Sequence, residues 1–175
     1  NAKATFFMVG TEIASFPDEV KRMKKLGCEL GNHTYDHKDL ATLSSDEISS
    51  EIARVDEQLV NLTGEGASVV RPPYGSVNDT VKSTVGTPMI LWSIDTLDWK
   101  TQDVESTVEE VMNNVKDGSI ILMHDIFSTS VDAAEILIPQ LIEEGYQIVT
   151  VHELASLHQT ELSTGVTYGE FNRIK

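Results

Sequence analysis

One cysteine, Cys28, excludes an internal disulfide, so the fold must be held by its apolar core. Nothing in the chain approaches the uninterrupted apolar stretch of about 20 residues that a membrane-spanning helix needs. Basic side chains are scarce: 13 Lys and Arg stand against 28 Asp and Glu, a formal net charge of −15. A surface this acidic repels nucleic acid and anionic lipid and leaves a neutral polymer or small molecule as the fitting partner. No linker, repeat or low-complexity tract interrupts residues 1–175, which read as a single domain. What is present suffices for a core, since 40% of the residues are apolar. There is no secretory leader, but the first residue is Asn1 and not Met. The chain is therefore expected to be a piece of something longer, and the missing leader says nothing about export.

Helical and extended patterns alternate along the chain. Ala4 to Val9 is apolar and stops at Gly10, as a buried strand does. Pro17 to Leu26 reads as a helix, with proline in its first turn and Gly27 as its stop. Cys28 to Gly31 is a short strand that buries the cysteine. Ser44 and Glu47 form a capping box ahead of a helix carrying Ile48, Ile52, Val55, Leu59 and Leu62 on one face, closed near Gly64. Further strands are expected at Ser68–Val70, Pro88–Ile94, Ser119–Met123 and Gln147–Val151. Helices are expected at 77–85, 104–115 and 131–144. The polar tail after Leu157 is assigned no element. Six strands separated by helices imply a parallel sheet with right-handed crossovers, either an open doubly wound sheet or a barrel.

In such folds ligands gather at the carboxyl ends of the strands. That rule puts His33, Arg71, Asp95, His124 and His152 at one rim. Each alone has an ordinary explanation: Arg71 as a surface ion pair, Asp95 as a turn former, His124-Asp125 as a turn, His152 as a helix cap or surface residue. His158, in the polar tail, reads as solvated. The pentapeptide His33-Thr34-Tyr35-Asp36-His37 adds weight. Two imidazoles at this spacing can face one ion if the backbone curls helically between them, although a hydrolytic zinc centre wants three protein ligands. A His, an Arg, an Asp and further His at one rim suit hydrolysis.

Taken together the motifs resemble the polysaccharide deacetylases with a NodB-homology domain, carbohydrate esterase family 4. His33-Thr34-Tyr35-Asp36-His37 resembles the family's H-[ST]-x-x-H motif. Arg71-Pro72-Pro73-Tyr74-Gly75 and Asp95-Thr96-Leu97-Asp98-Trp99 resemble the motifs forming the two walls of its groove. Leu122-Met123-His124 resembles the motif carrying its catalytic acid. The likeness extends to about Leu157. It implies a distorted, partly open (β/α) barrel of parallel strands, here lacking the N-terminal strand. The family's first motif, T-F-D-D-G-P, supplies the general base and a third metal ligand, and no Asp-Asp pair occurs in this chain.

The function implied by the resemblance is metal-dependent hydrolysis of acetyl groups on a polysaccharide, most readily the N-acetylglucosamine units of peptidoglycan or a chitin-type glycan. His33 and His37 would hold a divalent ion, zinc first, with cobalt, nickel or manganese as alternatives. Arg71 would pair with the base, the Tyr74 N–H would meet the oxyanion, and His124 would protonate the leaving group. Asp95 would orient His124, while Trp99 and Leu122 would wall the acetyl methyl. The 175 residues alone would be impaired unless the missing N-terminal segment docks. A bacterial location outside the cytoplasm follows by analogy. Acetylxylan as substrate, a non-catalytic carbohydrate-binding remnant and an unrelated amidohydrolase are the competing readings.

Overall fold

The structure, a computed structural model, describes residues 2–172. In chain order its elements are β1 (Thr5–Met8), α1 (Gly10–Ile13), α2 (Pro17–Lys25), β2 (Glu29–Asn32), α3 (Ser45–Thr63), α4 (Asp79–Thr84), β3 (Met89–Ile90), β4 (Ile94–Asp95), α5 (Asp98–Thr101), α6 (Val104–Asn114), β5 (Ile121–Leu122), α7 (Ser128–Glu143), α8 (Val151–Leu157) and β6 (Thr167–Tyr168). Strand β1 pairs in parallel with β2, and single bridges carry the order on from Asn32 to Val70 and from Val70 to Met89. Strand β3 then pairs with β6, while β4 pairs in parallel with β5. The result is the expected parallel α/β arrangement, a barrel left open and not closed by continuous pairing.

The helix signals translate directly into structure. Ser44 caps α3, accepting from the Glu47 N–H while the Glu47 carboxylate takes the Ser44 N–H, and Gly64 ends the helix at φ 82°. Its apolar face buries Ile48, Val55 and Leu59, the first packing with Val70, Val81 and Met89, the others with Met8, Val20 and Leu30. Full burial of each such side chain is worth about 1.5–3 kcal/mol. This helix therefore ties β1 and β2 to the Val70–Met89 region. No helix among the described residues is long and apolar enough to cross a membrane.

Several sequence expectations are corrected. The apolar run Pro88–Ile94 is two strands, because the Ile90 and Leu91 carbonyls both turn to accept from the Arg71 guanidinium at 3.2 and 3.1 Å. Successive carbonyls of one regular strand point to opposite sides, so the strand must break there. The segment 147–150 is not a strand; it keeps a bond from the Lys3 N–H to the Ile148 carbonyl, and Thr150 becomes the capping residue of α8. The tail does contain structure: β6 lies on β3, and Phe171 is 2% exposed beneath it. A two-residue strand followed by one buried aromatic leaves no periodicity to read. His158 is likewise buried and not solvated, its Nε2 3.4 Å from an Asp117 carboxylate oxygen. Cys28 is half-buried.

Gly118 fastens this tail. It sits at φ 88°, and a Cβ there would lie 1.7 Å from the Phe171 carbonyl oxygen. Gly145 has a similar φ of 90° with nothing within 4 Å of its would-be Cβ. Gly145→Ala should thus cost only left-handed strain, about 1–2 kcal/mol. Gly118→Ala should cost clearly more, roughly 3–4 kcal/mol, by expelling the Phe171 segment. Urea unfolding of the two variants checks this; equal losses would remove the tail from the fold's supports.

Candidate active site

The pentapeptide following β2 does not curl as a helix. Thr34 and His37 have φ of 66° and 54°, and these left-handed turns bring the two imidazoles together. His33 Nε2 and His37 Nε2 stand 3.1 Å apart. His33 Nδ1 lies 2.6 Å from the Arg71 carbonyl, an acceptor only, so Nδ1 carries the proton and Nε2 a free lone pair. Burial, with the nearby charges of His37, Arg71 and His124, lowers the His33 pKa to about 4. That of His37 is lowered by burial and then by the charge of His124. Both rings are therefore biased toward the neutral form that binds metal.

The donor set fits a divalent ion. Two tetrahedral zinc ligands at about 2.0–2.1 Å subtend about 3.3 Å between donor atoms, close to the separation found. Among the described residues no third His, Cys, Asp or Glu completes the group. Arg71, after the bridge residue Val70, is buried across Phe7, its guanidinium carbon 4.1 Å from the ring centroid. Burial lowers its pKa to about 10. No carboxylate pairs with it among the described residues. Tyr74 occupies a 3₁₀ turn at φ 60°, packs edge-on to His37 with centroids 5.0 Å apart, and is 70% exposed.

The opposite wall corrects one role. His124 follows β5, and its Nδ1 lies 2.8 Å from Asp98, not from Asp95. The Asp98 carboxylate also accepts the His124 N–H at 2.7 Å, the Ser130 hydroxyl at 2.6 Å and the Trp99 N–H at 2.9 Å. Asp95 instead accepts the Leu97 N–H at 3.0 Å and shapes the turn. The reason is geometric: Leu97 at φ 54° reverses the chain, so the residue three places on returns beneath His124. Both aspartates stand in the motif, and nothing in the sequence distinguishes them. Ser130 on α7 joins the site without any sequence signal to mark it. Trp99 is about half exposed beside this carboxylate, and Leu122 is buried at the end of β5, its carbonyl accepting from the Thr96 hydroxyl. His152 is not at this rim: it sits against Glu29, at the starting end of β2.

Comparison with known proteins places this geometry. The family described as Polysaccharide deacetylase matches residues 1–87. A solved structure, a T48 deacetylase with substrate, is 38% identical, with a TM-score of 0.92 over 95% of this chain and 83% of that one. The chain belongs to the polysaccharide deacetylase family. The peptidoglycan-N-acetylmuramic acid deacetylase PdaC of Bacillus subtilis is 40% identical over 86% of this chain and 32% of its own length. The chain thus spans about a third of the length of the first curated relatives it matches. A family 4 acetyl xylan esterase from Clostridium thermocellum, solved with a cobalt ion, is 29% identical with a TM-score of 0.90, covering 97% of this chain and 85% of that one.

Asp98 gives the deacetylase fold an acid dependence. Burial opposes its ionisation, but hydrogen bonds from the His124 ring, Ser130 and the His124 N–H outweigh it and bring its pKa to about 2. The unfolded value is about 3.9. The unfolded chain therefore binds the extra proton between these values, and stability present above pH 4 is lost as pH falls toward 2. On the order of 2 kcal/mol is involved. Denaturant unfolding from pH 5 to pH 2 should show this decline in the wild type, while Asp98→Asn should start lower and lack that component. An unchanged slope in the variant would contradict the assignment.

Proposed function

We propose that the protein is a metal-dependent polysaccharide deacetylase that hydrolyses the acetamide of N-acetylated sugars, with bacterial peptidoglycan as substrate. The observation that carries this is the pairing of two neutral imidazoles at zinc-ligand spacing with a third, carboxylate-backed imidazole near enough for its charge to act on both. The names of the relatives support the glycan. The reading puts the protein outside the bacterial cytoplasm, where that polymer lies.

His33 Nε2 and His37 Nε2 would hold the ion, zinc by their geometry and donor type. An ion held there would supply polarisation of the acetyl carbonyl and a more acidic water. The chain's own groups do the remainder. The Tyr74 N–H, in the left-handed turn beside His37, would donate to the oxygen that becomes negative as water adds. His124 delivers its Nε2 proton to the sugar nitrogen, so that the C–N bond breaks with an amine and acetate as products. Asp98 holds Nδ1 and balances the charge of the imidazole before that transfer, and Ser130 holds Asp98. A proton acceptor for the attacking water has no candidate among the described residues. The buried Arg71 guanidinium offers the place where a carboxylate base would be stabilised. Exposed Trp99 and Tyr74 offer faces on which a sugar ring can stack.

Acetate release by the full-length protein loaded with Zn²⁺ tests the proposal on peptidoglycan, chitopentaose and acetylxylan side by side. Peptidoglycan should be fastest; preference for acetylxylan would move the assignment to ester hydrolysis. His124→Ala should lose roughly 10²–10⁴ in kcat. Asp98→Asn should approach that loss, whereas Asp95→Asn should lose about tenfold or less, as expected of a turn residue. Equal losses at positions 95 and 98 would contradict the division of roles between the two aspartates.

A further inference from the structure

A loop with left-handed residues at Thr34 and His37 keeps that conformation only if its surroundings hold it. The holding group is on α3. Glu51 lies on this otherwise amphipathic helix, yet its side chain is only 4% exposed, unusual for a glutamate. One carboxylate oxygen accepts the Asp36 N–H at 2.8 Å, and the other meets Lys38 Nζ at 3.1 Å. Those partners are the residues immediately before and after His37. Lys38 Nζ also reaches Asp36 Oδ2 at 3.0 Å, and Arg54, almost one helical turn along α3, approaches the same oxygen at 3.6 Å. Arg54 further lies across the Tyr35 ring. Every residue from Tyr35 to Lys38 except His37 itself is thus gripped from α3, directly or through a neighbour, and His37 is left with its ring turned to His33.

We propose that Glu51 is a positioning residue that sets where His37 stands relative to His33 and thereby the affinity of the pair for a divalent ion. The inference rests on the metal-dependent reading of the two histidines. Its physical basis is that ligand groups held in place before binding lose less freedom on binding, and groups orienting metal ligands commonly contribute 10–100-fold in affinity. Glu51 touches neither ion nor substrate in this role. It acts through the Asp36 amide, a bond from helix side chain to loop backbone between the two ligands.

The test measures Zn²⁺ affinity of the full-length protein by competition with a chromogenic chelator, together with amide hydrogen exchange at Asp36 in the metal-free protein. Glu51→Ala should weaken Zn²⁺ binding about 10–100-fold and speed exchange at Asp36. Glu51→Asp, one methylene too short to reach that amide, should lose about tenfold or more, whereas Glu51→Gln, whose amide oxygen still accepts the N–H, should stay within about threefold. The Asp and Gln variants decide the matter if the Ala variant does not fold. Ser44→Ala removes the capping box of the same helix; it should lower Tm and leave Zn²⁺ affinity unchanged. Wild-type affinity in Glu51→Asp, or an equal loss in Ser44→Ala, overturns the inference while leaving the metal site standing. A wild-type protein that binds no Zn²⁺ overturns the metal reading and this inference together.

Discussion

The site depends first on Arg71, through its backbone as much as through its side chain. Its carbonyl takes the Nδ1 proton of His33 and so fixes which nitrogen is free for a ligand. Its guanidinium draws in the carbonyls of Ile90 and Leu91, which ends β3 and sends the chain on toward β4 and the opposite wall. Arg71 has no carboxylate partner among the described residues; burying such a guanidinium is costly, and two carbonyls and the Phe7 ring offset only part of that cost. Such a residue stores an electrostatic demand beside the histidine pair. A carboxylate arriving beside it would be held ionised, as a general base has to be.

The second constraint is backbone strain. Among the described residues six non-glycines have positive φ, and four of them, Thr34, His37, Tyr74 and Leu97, lie in the loops that carry the cleft. Each turns a group into place: Thr34 and His37 bring the imidazoles together, Tyr74 lays its ring edge-on to His37, and Leu97 folds Asp98 under His124. Left-handed backbone costs about 1–2 kcal/mol per residue. The surroundings supply what holds it: the Asn32 side chain accepts the Thr34 N–H, Glu51 accepts the Asp36 N–H, and Asp95 accepts the Leu97 N–H. The polar side chains of Asn32, Glu51 and Asp95 thus serve to keep strained turns closed.

Much of this was legible in the sequence because it follows from local rules. The capping box at Ser44, the stop at Gly64 and the apolar face of α3 need only nearest-neighbour chemistry. The convergence of His33, Arg71 and His124 follows from placing each after a strand in a parallel fold. What failed depended on contacts distant in sequence. Asp95 and Asp98 are three residues apart in one motif, and only the turn at Leu97 decides which meets His124. Ser130 and Glu51 belong to helices whose patterns are fully explained by packing, so nothing sets them apart before folding brings them to the site. His152 was drawn to the wrong end because residues 147–150 enter a helix cap in place of a strand. The Phe171 tail, with its two-residue strand, carried too little pattern to be read at all.

Everything proposed for the two-histidine pair requires that Nδ1 of His33 hold the proton and Nε2 be bare. Long-range proton–nitrogen correlation spectra of the ¹⁵N-labelled, metal-free protein at neutral pH report this directly. The expected spectrum shows a neutral His33 protonated at Nδ1, with the Nε2 resonances of His33 and His37 both shifting when Zn²⁺ is added. A His33 ring protonated at Nε2, or Zn²⁺ shifting neither nitrogen, would contradict it.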